Sequence, residues 1–208
     1  MISSAYLIDW AETVAQRHLA TTLPQRWEHV LGCRRQAEWV GAELLAGTER
    51  DLLVAAALLH DIGYAKTLVR SGFHPLDGAR FLVESGAPPP LCNLVANHSA
   101  AAVTARLRGL SGELGMFPDE RTAPRDALWF CDVTTDPRGR EVPFDERIAD
   151  IRARHGPDSV QVRALDSGGL AARAAAVRRT RHRLRMAGEV PVPRHPVGMP
   201  PPGRHRLA

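Results

Sequence analysis

The segment 51–60 (DLLVAAALLH) is apolar on nearly every side when its residues are placed on a helix. A helix of that kind is expected where other elements surround it, so this one should run through the middle of a core. Two ionisable residues, His60 and Asp61, stand at its C-terminal end. The segment therefore predicts a helical core with a polar pair at its rim.

The chain on either side of this segment carries apolar side chains at helical spacing. The window with most strand character is 159–165 (SVQVRAL), and a single strand without a partner cannot satisfy its own hydrogen bonds. The fold class is therefore predicted to be all-α. Helices are expected over approximately residues 6–19, 24–45, 51–60, 75–84, 91–98, 124–133 and 170–184.

A length of 208 residues with 44% hydrophobic content is enough for one sizeable core and favours a single domain. This domain is predicted to span residues 1–187 as a helical bundle. Proline and glycine dominate residues 188–208, where helical periodicity ends, so this tail is predicted to be disordered. His195 and His205 lie in the tail and are poor ligand candidates.

Several classes of protein are disfavoured by composition. The chain contains no long apolar run, and its N-terminus mixes charges with apolar residues, so we expect neither a membrane span nor a secretory signal but a cytoplasmic protein. Its three cysteines are far apart and form no CxxC pair, which disfavours a disulfide framework and a thiolate zinc site.

The net charge of +4 raises the question of a nucleic-acid partner. Lys66 is the only lysine, and a bias of this kind towards arginine is typical of genome composition. We therefore favour a solvated basic surface over a dedicated nucleic-acid surface. The basic C-terminal helix is likewise expected to pack its apolar stripe on the core, with an acidic partner or nucleic acid as the alternative.

The pair His60 and Asp61 is the strongest candidate for chemistry. A lone histidine at the rim of a core is more often a structural residue with satisfied hydrogen bonds. Burying two adjacent ionisable groups, however, costs several kcal/mol unless a metal ion or hydrogen bonds compensate. Imidazole nitrogens and carboxylate oxygens are ligands that divalent metals of intermediate softness favour. The pair thus indicates a metal site.

His29 on an earlier helix and Asp132 on a later one complete the order H…HD…D. This pattern resembles the HD-domain superfamily of metal-dependent phosphohydrolases, and the likeness covers roughly residues 24–135. The likeness extends to the sequence segments around these residues, RWEHVLGC, AALLHDIGY, GFHPLDGARFL, LVANHS and FCDVTT. The resemblance implies an HD-type helical bundle in which His29, His60, Asp61 and Asp132 bind one divalent transition metal.

Two further histidines stand where members of this superfamily with two metals carry additional ligands. His74 and His98 would then hold a second ion, with Asp61 bridging both. The alternatives are that His74 caps the helix that begins at Pro75 and that His98 is a surface turn residue. The resemblance thus implies one or two ions of Fe, Mn, Co, Ni or Zn.

Three residues are expected to act in catalysis. Asp61 would do so as a metal ligand, Arg26 as a ligand of substrate phosphate, and Lys66 as a phosphate contact. The alternative for Arg26 is an exposed helix arginine without a role in the site.

The adjacent residues His60 and Asp61 form the doublet of the H…HD…D pattern. Many superfamily members carry lysine three residues after the aspartate of this doublet, whereas this chain has Tyr64 there. Asp77 is predicted either to orient a ligand histidine or to be an acidic residue in the first turn of a helix, where the helix dipole favours a negative charge.

The function implied by the resemblance is hydrolysis of a phosphate ester in a small phosphorylated molecule, a nucleotide or a dinucleotide. A mixed-valent di-iron oxygenase is an alternative, because some HD-domain proteins with the same six ligands have that chemistry. A non-catalytic regulatory domain with a metal in a structural role is another. The sequence leaves open whether the protein forms a homo-oligomer.

Overall fold

The structure, a computed structural model, describes residues 6–189. Within those residues it contains helices and turns and no strand, which confirms the all-α prediction. In the window 159–165, residues 160–165 are helical and Ser159 is the N-cap of their helix. The α-helices are α1 (Leu7–Ala15), α2 (Pro24–Leu44), α3 (Gly47–Leu59), α4 (His74–Glu84), α5 (Pro89–Ala96), α6 (Ala101–Leu107), α7 (Ser111–Leu114), α8 (Ala123–Val133), α9 (Phe144–His155), α10 (Val160–Ala164) and α11 (Leu170–Glu189).

Helix α3 is the central element, as its all-round apolar sequence predicts. Every side chain from Leu53 to Leu59 is buried. Helices α1, α2, α5 and α8 pack around it. Because α2 and α8 both lie against α3, residues far apart in the sequence are brought to the C-terminal end of the central helix.

The turn after α3 is held close to α4. A 3-10 turn, Ile62–Tyr64, follows the doublet and packs against α4. A Cβ atom on Gly63 would lie 2.1 Å from the carbonyl oxygen of His74, so only glycine allows this approach. The close contact sets Asp61 beside the first residue of α4.

Helix α11 packs along α8. Its residues Ala176, Val177 and Thr180 are buried, in agreement with the expectation that this helix covers the core. The helix continues to Glu189, past the expected domain boundary at residue 187. The rest of the predicted tail, with His195 and His205, lies outside the described residues, as do residues 1–5.

No helix among residues 6–189 combines the length and the apolar character that crossing a membrane requires. The cytoplasmic location expected from the sequence stays a prediction.

Candidate metal centre

Five different parts of the fold bring all six residues predicted to bind metal into one cluster. His29 comes from α2, and the doublet His60–Asp61 directly follows α3. His74 begins α4, and His98 follows α5 in a 3-10 turn. Asp132 lies in the last turn of α8. Asp132 and His74 retain the most exposure, with side chains that are 15% and 21% exposed, whereas the other four residues are buried.

One group of ligand atoms lies between α2, α3 and α8. The Nε2 atom of His29 is 3.2 Å from Oδ1 of Asp132, and the Nε2 atom of His60 is 3.9 Å from the same oxygen. Oδ2 of Asp61 lies 3.8 Å from His29 Nε2 and 3.4 Å from His60 Nε2. The ligand atoms of His29, His60 and Asp132, with Sγ of Cys33, all lie within 4.8 Å of one another, a separation at which they can surround a single metal ion.

A second group shares the carboxylate of Asp61. Its other oxygen, Oδ1, lies 3.3 Å from Nε2 of His74 and 3.9 Å from Nε2 of His98. The two histidine nitrogens are 3.0 Å apart. The structure thus places His74 and His98 with Asp61, apart from the group formed by His29, Cys33, His60 and Asp132.

The backbone fixes the tautomer of three of the histidines. Nδ1 of His29, His60 and His98 lies within hydrogen-bond distance of the carbonyl oxygens of Asp136, Ala57 and Val95, respectively, at 3.1, 2.9 and 2.6 Å. A carbonyl oxygen can only accept, so each Nδ1 donates, and in the neutral imidazole each Nε2 keeps its lone pair for the cluster.

The surroundings of the Nε2 atom of His60 indicate that these residues fit a metal ion. It is buried and has no hydrogen-bond partner among the described residues. A buried polar atom without a partner costs free energy, and a cation held by the lone pair would remove that cost. The donor set and this orphaned nitrogen together fit a divalent transition metal.

The charges of the cluster also suit a cation. Burial would raise the pKa of Asp61, but Arg26 and His60 hold it well below its ordinary value. Burial likewise opposes ionisation of Asp132, yet the hydrogen bond with His29 and the charge of His60 keep its pKa well below the ordinary value. Both carboxylates are therefore ionised at neutral pH.

The histidines differ from one another. Burial disfavours the charged form of His60, but Asp61 and Asp132 outweigh it and raise its pKa to about 9, so a metal ion would displace a proton there. Burial lowers the pKa of His74. Burial also lowers the pKa of His98, and the nearby His74 and His60 lower it further, to about 3. The imidazoles of His74 and His98 are thus neutral, the form that binds a metal.

Arg26 and Lys66 are the two residues expected to contact substrate phosphate beside the metal. Arg26 contacts the metal-ligand cluster, and Lys66 does not line the cavity beside it. Nη1 of Arg26 donates a 2.7 Å hydrogen bond to Oδ2 of Asp61. The ring of Tyr64 stacks on His74 with 3.9 Å between ring centroids, and the Arg26 guanidinium lies 4.2 Å from the Tyr64 centroid. Lys66 is exposed and does not line the cavity beside the cluster, so its phosphate contact stays a prediction.

Asp77 stabilises a loop instead of a ligand histidine. Its carboxylate accepts hydrogen bonds from the backbone N–H groups of Arg70, Ser71 and Gly72 and from the Ser71 hydroxyl. These bonds order the chain immediately before His74. Asp77 thus helps to place His74 through the backbone.

Sequence reasoning missed Ser99. Its hydroxyl donates a hydrogen bond to Oδ2 of Asp132, leaving Oδ1 for the cluster. Ser99 has φ +46°, in the left-handed region, and Ala100 has φ +60°. Strained backbone of this kind at non-glycine residues is concentrated at functional sites. The letters NHSA alone contain no sign of it.

Two buried cysteines border the cluster. Sγ of Cys33 lies 3.6 Å from Nε2 of His29, and burial raises the pKa of the Cys33 thiol well above its ordinary value, aided by Asp132. Burial likewise raises the pKa of Cys131. Both are therefore thiols at neutral pH, as expected for cysteines in a core.

A cavity of about 270 Å³ opens beside the centre. Asp61, His74, His98 and Asp132 form part of its wall. The remaining wall is strongly basic, and most of its arginines come from segments to which the sequence assigned no function. The arginines that line it are Arg26, Arg108, Arg147, Arg154 and Arg173.

Comparison with known proteins agrees with this geometry. The family model described as HD domain matches residues 26–160, which include all six residues of the cluster. A search of curated proteins and a search of solved structures each found no match.

Proposed function

Because the chain belongs to the HD domain family, a family of hydrolase type that depends on divalent metals, we propose that it is a phosphohydrolase that cleaves a phosphate ester in a small phosphorylated molecule. The substrate is a nucleotide or a dinucleotide, the class that the superfamily implies. The residues proposed to hold the metal are His29, His60, Asp61, His74, His98 and Asp132.

The position of Asp61 between two ligand groups is the observation that carries this proposal. One carboxylate oxygen faces His29 and His60, and the other faces His74 and His98. A carboxylate shared in this way supports a centre for two ions with Asp61 as the bridge. Two-metal centres are common among phosphatases and nucleases.

When bound, divalent ions at such a centre lower the pKa of a coordinated water and neutralise charge on the phosphoryl oxygens. The chain supplies the rest of the machinery. Ser99 holds one oxygen of Asp132, and backbone carbonyls hold the imidazoles of His29, His60 and His98. Ligands fixed by such partners need no rearrangement during the reaction.

The basic wall of the cavity favours an anionic substrate. A guanidinium group can bind two phosphate oxygens at once through parallel N–H donors. We assign the role of a phosphate ligand to Arg26, which lines the cavity and already contacts Asp61. Its guanidinium would hold the reacting phosphate against the centre.

The test is hydrolysis of a chromogenic phosphodiester by the purified protein supplied with manganese, iron, cobalt or nickel. We expect metal-dependent hydrolysis that His60→Ala and Asp61→Ala abolish while the circular dichroism spectrum stays helical. His18→Ala, which changes a histidine in the π-helical turn after α1 and outside both ligand groups, is the matched control. Background rates with every metal would refute the hydrolase and leave a regulatory domain with a structural metal.

The same six ligands also favour a second candidate, an oxygen-dependent reaction at a di-iron centre. The ligand set alone does not separate the two chemistries. Protein loaded with iron, reduced anaerobically and then exposed to oxygen with candidate substrates distinguishes them. Oxygen consumption coupled to product would favour the oxygenase, and hydrolysis without oxygen would exclude it.

A further inference from the structure

Two arginines in the wall of the cavity keep donor atoms without partners. Nε of Arg147, on α9, and Nη1 of Arg173, on α11, are buried and have no hydrogen-bond partner among residues 6–189. Arg147 as a whole is only 7% exposed. Buried donors are nearly always satisfied in folded proteins, so two unsatisfied guanidinium nitrogens in one cavity indicate a missing acceptor.

The other cavity arginines differ in this respect. Arg26 pairs with Asp61, and Arg154 donates two hydrogen bonds to Asp150. Arg108 donates to the carbonyl oxygens of Gly72 and Ser71. Arg173 forms no ion pair with any residue in the described part of the chain. Among residues 6–189, its guanidinium therefore combines a charge without a counterion and a buried donor without an acceptor.

The surroundings of Arg173 disfavour its charge in the absence of a ligand. Burial lowers the pKa of Arg173, and the positive charge of Arg147 lowers it further, against the opposing effect of Asp132. Arg147 is paired with Asp150, whereas Arg173 has no counterion among residues 6–189, so repulsion from Arg147 adds to the cost of burying the charge of Arg173. An oxyanion bound there would remove both the repulsion and the unsatisfied donors.

The backbone beside Arg173 leaves space for its guanidinium. A Cβ atom on Gly169 would lie 2.8 Å from Nη1 of Arg173 and 2.5 Å from the carbonyl oxygen of Ala164. Gly169 ends the π-helical turn Leu165–Gly169 that joins α10 to α11. The absence of a side chain there permits the guanidinium to lie against this turn.

We propose that Arg147 and Arg173 form a subsite for a second phosphate group of the substrate, separate from the phosphate held at the metal ligands. The subsite rests on the proposed function and narrows it to compounds that carry two phosphates, such as a nucleoside diphosphate or a phosphoanhydride. Arg147 keeps one nitrogen on Asp150 at 2.7 Å and offers Nε, and Arg173 offers Nη1.

The test measures binding instead of turnover, so it does not depend on hydrolysis. Dissociation constants of orthophosphate and of methylenediphosphonate, which cannot be hydrolysed, are measured by calorimetry on the full chain as purified with its metal. The wild type is expected to bind the diphosphonate at least about tenfold more tightly than orthophosphate, because charged hydrogen bonds to the second phosphate add to the affinity.

Arg173→Met is expected to abolish this preference and to leave orthophosphate binding within about threefold, a difference of less than about 1 kcal/mol. Arg173→Lys keeps the charge without the planar pair of donors, so part of the preference should remain. Arg178→Met is the matched control, because Arg178 is exposed on the same helix and does not line the cavity.

The melting temperature provides a second measurement. Removal of a cation that has a buried donor and no counterion should leave the melting temperature of Arg173→Met unchanged or raised, whereas a purely structural arginine would lower it. An unchanged diphosphonate preference in Arg173→Met, or an equal loss of orthophosphate binding, would overturn the subsite. Hydrolysis could still be present in either case, so the two proposals fail separately.

Discussion

Arg26 and Asp61 form an ion pair in which Nη1 of Arg26 lies 2.7 Å from Oδ2 of Asp61. The carboxylate is almost fully buried, and the same oxygen faces His29 and His60. Arg26 therefore neutralises the shared carboxylate from the side of the cavity. A residue expected to bind substrate thus also stabilises the centre itself.

Arg26→Met should destabilise the metal-free protein by about 1–3 kcal/mol, less than loss of a partner in a fully buried pair, because Arg26 is partly exposed. Bound metal supplies positive charge to Asp61, so the loss should shrink when metal is present. Urea unfolding with chelator and with manganese measures both values. Arg34→Met, which breaks pairs with Glu12 and Glu38 on the surface, should cost roughly a few tenths of a kcal/mol in both conditions. An equal loss for Arg26→Met with and without metal would contradict this account.

Metal content tests the second ligand group. The wild type should contain close to two ions per chain, and His74→Ala should retain about one, because His29, His60 and Asp132 are unchanged. Elemental analysis of freshly purified protein measures the content. His155→Ala removes an exposed histidine that lines the cavity outside both groups and should keep the wild-type content. One ion per chain in the wild type, unchanged in His74→Ala, would refute the two-metal centre.

Gly63→Ala tests the close approach between the doublet and α4. The added methyl group would overlap the carbonyl of His74 and push this residue away from Asp61. We expect a loss of about 1–3 kcal/mol in the free energy of unfolding, together with a lower metal content. Gly112→Ala provides the control, because nothing lies within 4 Å of the position that its methyl group would take. Wild-type metal content in Gly63→Ala would argue against a role for this contact at the centre.

The ion pairs between α8 and α11 predict a pH dependence of stability. Burial would raise the pKa of Asp126, but hydrogen bonds from Arg179 and Arg183 lower it below the ordinary value. A carboxyl whose pKa is lower in the folded state stabilises the fold above its unfolded pKa of about 4, and this contribution is lost as the pH falls through the folded pKa.

Asp126→Asn should therefore reduce the free energy of unfolding at pH 7 by about 1–2 kcal/mol, a range that allows for the half-exposed arginines. The difference from the wild type should shrink as the pH is lowered below about 4. Denaturant titrations between pH 3 and pH 7 measure it. Asp166→Asn, in an exposed pair with Arg152, should change little across this range. A difference that grows towards acid would refute the assignment.

Much of the architecture is readable from local patterns. The apolar segment 51–60 predicts a central helix, and α3 is buried along that segment. The C-terminal stripe predicts a helix packed on the core, and α11 packs on α8. Helical periodicity depends on neighbours within a few residues, so the sequence displays it directly.

The arginine subsite was not readable in this way. The basic residues of the C-terminal helix look alike in the sequence, yet Arg173 lines the cavity, Arg179 pairs with Asp126 and Arg178 is exposed. Which of them is buried depends on the turn Leu165–Gly169 and on the direction in which α11 leaves it. No local pattern contains that direction.

The sequence by itself determined seven of the helices, α1 to α5, α8 and α11, together with the central position of α3 and, through the resemblance carried by the doublet, the residue types for a metal site. The helices α6, α7, α9 and α10 were not predicted from it. The resemblance implied that Asp61 bridges two ions, but only the tertiary structure decided that its two carboxylate oxygens face different pairs of histidines and that Arg147 and Arg173 face the same cavity. The physical reason is that a helix forms from contacts within a few residues, whereas a site forms from side chains that only the packing of distant helices brings together.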